Sequence, residues 1–582
     1  MLGGGCLCYF YHKNFVEKVG DFVWKTASGK FLAALPRHYS LWYNDGMKQG
    51  MKRFLKRIMG RPDLKYSTED YGRATGALGD FVKFHEKYLL NQHHLPARKD
   101  RAPYNAEIAK MEPIYNFFSS DLEANNPTVK PVFEYDNFHS GTPMAYKPFP
   151  GSLREVKKTL RHKNLYWYPR SAGGFYAQQK IVDYLIREGF RADKIELPDG
   201  EMYGGLGINN VVFACSTTHA YSLIMSAVAQ PGDVILMSAP NYGLFAIMTE
   251  LDNYRTEVIN LREEDGWQIN PVLLAEKIDA LNKELSTGVK KGERVPKVAA
   301  FLNLNPHNPT GKVLNHKNLQ ILKDVGQVCK ERNVFVIDDL VYRDLTYDLD
   351  DLAVPLASFP EYFNNTISLF GLSKAYGLAS FRAAVIVAPA AVTDVLAQRI
   401  HDTMDSMPVL QTAAVAGAFN GSNRRYRQHR RYMGALIREY KFRYYLTFAL
   451  VYGVNRISDA KLRGRIERVI RKYEKSAEGR ALLLKGCPGL KIRKGTEPDS
   501  GFFTVFDFTG LKGKTTPDGV VISTEQELLD YFYKGSGLSY LMGGNFCWPV
   551  EGEFVGRISF GISRKAMVRN MKALNEMIRR LK

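Results

Sequence analysis

The chain has 582 residues, enough for two or three domains, and its 45% hydrophobic content is that of a globular protein, not a disordered or fibrous one. No run approaches ~18 uninterrupted apolar residues, which excludes an obvious membrane-spanning helix. The six cysteines are scattered and form no paired CxxC, so neither a metal site nor a disulfide framework is expected and a reducing compartment is the simplest setting. The formal charge of +20 is unusual and suits anionic substrates or surfaces.

Residues 1–46 begin Met-Leu-Gly-Gly-Gly-Cys and lack the apolar core and cleavage site of a secretory signal. A cytoplasmic location is expected, with organelle targeting by this basic, acid-poor region as the alternative. Basic residues cluster at Lys48–Arg61 and again at 424–475. Such runs are most often solvated helix faces. Between the charges of the second run, Tyr440, Phe442, Tyr444, Tyr445 and Phe448 fit helix packing better than base stacking, and the apolar stretch Tyr445–Tyr452 suits oligomer contacts. From Ser67 to Leu90 the pattern is helical, with Phe81, Phe84 and Tyr88 at helix spacing.

Strand-like runs then alternate with amphipathic helices at 211–215, 234–238, 257–260, 298–303, 334–338, 366–370 and 384–388. That alternation predicts a mostly parallel sheet covered by helices on both faces, with ligands at the carboxyl ends of its strands. Chemistry-bearing residues follow the strands. Ser216, Thr217 and Thr218 open a helix, where free N–H groups and hydroxyls suit either a plain cap or a phosphate. Tyr242 follows Pro240, and Asn308-Pro-Thr-Gly follows the strand at 298–303 as a turn or a functional loop. Asp338 and Asp339 end another strand, and Tyr342 stands three residues beyond Asp339. Lys374, beside Ser373 in a Ser/Gly-rich loop, can form a Schiff base with an aldehyde, and Arg382 lies eight residues later. Beyond residue 400 a long helical stretch leads to a smaller α/β region. Its strands include one beginning near Ser500 and the run 555–562 carrying Arg557, whose planar guanidinium can hold a carboxylate through two hydrogen bonds.

These segments, in this order, resemble the fold-type I pyridoxal-phosphate (PLP) enzymes, specifically the class I/II aminotransferases of the aspartate aminotransferase type, from about Phe138 to the C-terminus. The resemblance implies a PLP-dependent aminotransferase that passes an α-amino group to a 2-oxo acid by ping-pong chemistry through a Lys374 Schiff base. It implies that Asp339 keeps the pyridine nitrogen protonated and that Tyr342 and Asn308 bond the phenolic oxygen. Tyr242 stacks on the ring, and Ser216, Thr217, Thr218, Ser373 and Arg382 cradle the phosphate. Arg557, with Asn308 and Gly141 of the loop His139-Ser-Gly-Thr-Pro143, binds substrate, and Tyr168 reaches the phosphate of a partner chain in a homodimer or higher oligomer. Asp338 fits a structural role. No nucleic-acid or membrane partner is implied. Two positions depart from the family pattern: Gly371 stands where Ser or Thr is usual, and Ala384 where Gly is usual, so the phosphate cup differs in detail.

The expected domains are an N-terminal extension, mostly helical or irregular (1–130), an arm that contributes to the small domain and substrate loop (131–165), a large PLP-binding domain (166–400), and a small domain with a basic helical insertion (401–582). An aspartate 4-decarboxylase-like lyase on the same fold is the alternative activity, although Ser140 stands where that group has an arginine. A PLP-fold transcriptional regulator is the remote one.

Overall fold

The computed structural model describes residues 75–91, 136–141, 147–162, 165 and 167–582, all within one compact unit, Ser67–Lys582. The expectations that fall on residues 1–74, 92–135, 142–146, 163–164 and 166 lie outside the described residues.

The expected alternation gives a seven-stranded sheet. Its strands are β1 (Val211–Ala214), β2 (Val234–Ala239), β3 (Arg255–Asn260), β4 (Val298–Leu304), β5 (Phe335–Asp339), β6 (Thr366–Gly371) and β7 (Ala384–Val387). They lie side by side in the order β1-β7-β6-β5-β4-β2-β3. Only β7 pairs antiparallel with its neighbours, so the sheet is otherwise parallel. Every residue of six strands is buried, which requires cover on both faces. On one face the helices Pro271–Ser286 and Leu319–Glu331 bury Leu274, Ile278, Leu322 and Val325 against Val234, Leu236 and Val336. Edge strand β3 is the exception: Arg255 and Glu257 pair with each other along it, a charged rim that resists further strand addition.

Four further helices matter below: α1 (Gly76–Asn91), α2 (Thr217–Val228), α3 (Leu244–Leu251) and α4 (Asn423–Tyr452). Helix α1 begins nine residues later than the Ser67 start read from periodicity, and the earlier residues lie outside the described set. It docks Phe81 edge-on to Phe335, at 6.0 Å between ring centroids.

The C-terminal part carries a four-stranded antiparallel sheet of β8 (Lys491–Ile492), β9 (Phe503–Asp507), β10 (Leu541–Met542) and β11 (Val555–Ser559), in the order β8-β9-β11-β10. The 30-residue helix α4 packs on this region. Tyr440, Phe442 and Tyr444 are buried, as the packing reading expects. The stretch Tyr445–Tyr452 buries Leu446, Ala449, Leu450 and Val451 inside this chain, while Tyr445, expected to pack with the other aromatics, is exposed. The reason is local: the helix C-terminus lies against β8 and the helix Ala477–Lys485, which take its apolar face.

Candidate active site

Because β2, β4, β5 and β6 run parallel, their carboxyl ends open on one edge, and the segments that follow them meet there in a cleft of about 540 Å³. Gly141, Thr217, Thr218, Tyr242, Asn308, Asp339, Tyr342, Ser373, Lys374, Arg382 and Arg557 all line it. Two expected site residues do not. Ser216 is buried behind the wall, where its Oγ accepts the His219 N–H as the N-cap of α2. Tyr168 is 86% exposed and is not among the residues that line this chain's cleft.

Lys374 lies in the loop between β6 and β7, and its Nζ donates to the Gly141 carbonyl at 2.8 Å. A β-carbon on residue 141 would stand 3.3 Å from that Nζ, so glycine leaves the amine its room. Burial, then the positive charges of Arg557 and Arg382, push the lysine pKa down to about 8, with Asp339 acting in the opposite sense. Asp339 ends β5, and one of its oxygens accepts the Val341 N–H at 3.0 Å. Burial pushes its pKa up to about 6, against the pull of that N–H and of Lys374. Asp338 points elsewhere, accepting from the Asn303 amide and the Leu356 N–H inside the core, which is the structural role expected of it. Burial likewise raises Tyr342, keeping its phenol protonated as a donor.

Arg557 comes from the centre of the small sheet. One terminal nitrogen donates to the His139 carbonyl at 3.1 Å and the other to Asn308 Oδ1 at 3.4 Å, while the guanidinium lies 4.1 Å over the Phe503 ring. Its Nε is buried without a partner. At the opposite wall, α2 presents its N-terminus with the hydroxyls of Thr217 and Thr218, and Ser373 and Arg382 stand near in the lysine loop. A helix N-terminus, three hydroxyls and a guanidinium form a donor set suited to a phosphate. Asn308, with its oxygen turned to Arg557, keeps its NH₂ for another acceptor.

Several lining residues were not singled out from the sequence: His139, Asn241, Leu244, Ile247, Leu541, Asn545 and Phe546. His139 lay within a recognised motif, two residues from Gly141. Asn241 likewise stood next to Tyr242 in the loop after β2, while the others come from α3 and from the segment around β10, which carry no chemical signature of their own.

Residues 206–445 match the family described as aminotransferase class I and II. The chain is 25% identical to an aspartate aminotransferase from Musicola paradisiaca, over 38% of this chain and 53% of that protein. It is 23% identical to a probable aspartate/prephenate aminotransferase from Rhizobium leguminosarum bv. phaseoli, over 55% and 65% respectively. The chain thus spans between half and two thirds of the length of these relatives. Among solved structures, the aspartate aminotransferase from Rhizobium meliloti superposes with a TM-score of 0.59 at 16% identity, covering 82% of this chain and 96% of that one. The aromatic aminotransferase from Pyrococcus horikoshii superposes with a TM-score of 0.54 at 18% identity, covering 76% and 96%. These structural likenesses bear on the fold, which the chain shares with the aspartate and aromatic aminotransferases, and residues 206–445 are the part of the chain that resembles the class I and II aminotransferases in sequence.

Proposed function

We propose that this protein is a PLP-dependent aminotransferase that moves the α-amino group of an amino acid to a 2-oxo acid by ping-pong chemistry. The observation that carries the reading is the meeting of Lys374, Asp339 and Arg557 in one cleft, drawn from three separate parts of the chain. The residues present fit the cofactor. Thr217, Thr218, Ser373 and Arg382 would hold its phosphate, Tyr242 its ring face, Asn308 and Tyr342 its phenolic oxygen, and Asp339 its ring nitrogen. When bound, PLP supplies an aldehyde and an electron-accepting ring.

The protein's own groups do the rest. Arg557 binds the α-carboxylate through its planar guanidinium and so fixes which bond faces the lysine. Lys374 Nζ, its pKa brought down to about 8, takes up and returns the α-proton near neutral pH. Asp339, buried at the end of β5, would face the ring nitrogen, whose positive charge would favour the carboxylate form that keeps that nitrogen protonated. Tyr342, whose pKa is raised by burial, would keep its proton and donate a hydrogen bond to the cofactor's phenolic oxygen. The exposed Tyr168 serves the phosphate of a partner chain, so the working form is a homodimer or larger assembly. No described helix is long and apolar enough to cross a membrane. The scattered cysteines favour a reducing compartment, and a cytoplasmic location completes the proposal.

The test is to load the purified chain with PLP and follow its visible spectrum as amino acids are added. A donor should bleach the lysine-bound chromophore, and a 2-oxo acid should restore it. Release of CO₂ and alanine from aspartate would move the assignment to a decarboxylase. A bound cofactor that responds to no donor would sink the enzyme reading.

A further inference from the structure

The side-chain half of the cleft has a composition of its own. In the small sheet, Leu541 and Val505 are the cross-strand partners of Arg557, so both lie on the same sheet face as the guanidinium. Val505, Val555 and Phe546 are buried together as one apolar cluster, with the half-buried Leu541 packed against it. The carboxylate anchor therefore rises from an apolar floor. Across the cleft, Leu244 and Ile247 sit three residues apart on α3, a spacing that puts them on one helix face. Both line the cleft and both are half-exposed.

Charge in the cleft wall is fully engaged under the proposed function. Among the described residues its cations are Lys374, Arg382 and Arg557, for the aldehyde, the phosphate and the α-carboxylate respectively. Its carboxylate is Asp339, facing the ring nitrogen. His139 is neutral at physiological pH, because burial and then Arg557 hold its pKa at about 4. A second carboxylate on the substrate would lie against leucine and isoleucine, and the described residues of this chain's wall hold no further cation to pair with it, which disfavours it unless a partner chain supplies one.

We propose, building on the aminotransferase reading, that the amino donor is a monocarboxylic amino acid with an apolar side chain, and that Leu244, Ile247 and Leu541 form the wall that selects it. Leucine, methionine and phenylalanine represent the class; aspartate and glutamate are the acids it disfavours.

The experiment uses the full chain loaded with PLP. Single-turnover bleaching is measured with L-leucine, L-methionine, L-phenylalanine, L-aspartate and L-glutamate, and calorimetry measures binding of two unreactive acids, 4-methylpentanoate and succinate. The apolar donors should react about a hundredfold faster than the acidic ones, and 4-methylpentanoate should bind more tightly than succinate. The variant Ile247→Arg places a cation in the wall and should narrow the aspartate-to-leucine gap about tenfold. Equal or faster reaction of aspartate or glutamate would overturn the proposal while leaving an aminotransferase. An unchanged ratio in I247R would overturn the placement of the selecting wall. No reaction with any donor despite bound cofactor would remove the aminotransferase reading and this proposal with it.

Discussion

Gly371 and Thr217 interlock across the phosphate side of the cleft: a β-carbon added at residue 371 would lie 2.8 Å from Thr217 Cγ2, and 2.9 Å from Val341 Cγ2. The departure from the family's usual Ser or Thr is thus matched by the bulk that faces it. Gly371→Ser should weaken PLP binding and lower stability by about 1–3 kcal/mol through overpacking. Adding Thr217→Ser removes the clashing methyl, keeps the hydroxyl, and should restore part of the loss. Spectral titration with PLP and thermal melts of the two variants check this; an undisturbed single variant would show that the gap can relax.

Lys374→Ala should keep the fold and lose turnover by at least about 10³-fold, since no other amine lines the cleft among the described residues. Circular dichroism and steady-state rates together separate the two effects.

Arg557→Ala should raise KM for the amino acid by about 30- to 100-fold, the worth of a charge-assisted bidentate contact. Arg557→Lys should recover only a fraction, because an ammonium lacks the planar fork. Steady-state kinetics on both variants read this directly.

The lysine pKa gives a pH signature. In cofactor-free protein, labelling of Lys374 by an amine-reactive reagent should rise with pH around 8, where the folded-state group loses its proton, and not near the ordinary lysine value. Arg557→Met removes a neighbouring cation and should move the midpoint up; Asp339→Asn removes the opposing anion and should move it down. Mass spectrometry of the labelled peptide across a pH series measures both shifts.

Shared sites would make two crippled chains rescue each other. A chain carrying Lys374→Ala and one carrying Tyr168→Ala should each be impaired alone. Mixed and refolded together, they should regain activity, because the hybrid holds one site with both residues intact. No gain from a mixture that contains the hybrid would place Tyr168 outside the partner's site.

Much of this fold was legible because its signals are local. The apolar runs 211–215, 234–238 and 366–370 became β1, β2 and β6 within a residue or so, since a buried parallel strand is written as a continuous apolar run. Lys374, Asp339 and Asn308 were legible because each follows such a strand, and the parallel order brings strand ends together. The selecting wall was not. Leu244, Ile247 and Leu541 look like ordinary core residues, and only the pairing of Leu541 with Arg557 gives them a site to face. Arg443 was equally hidden: it lies in the basic run that reads as solvated, yet it is buried, paired with Glu439 and donating to the Gly561 carbonyl. Ser216 was less legible: the sequence offers three hydroxyls in a row and does not say that the first is buried as the N-cap of its own helix, outside the cleft lining.

The arm at residues 139–141 holds two of the cleft's three cations by main-chain oxygen, the Gly141 carbonyl on Lys374 and the His139 carbonyl on Arg557. Ligand entry is therefore a trade of acceptors, in which an incoming carboxylate displaces a carbonyl already seated on the guanidinium. The measured affinity for any acid is then the difference between two occupants of one donor, and it reports the arm's grip as much as the fit of the ligand. Loosening that grip would tighten the binding of every carboxylate alike, large or small, without touching the discrimination among them.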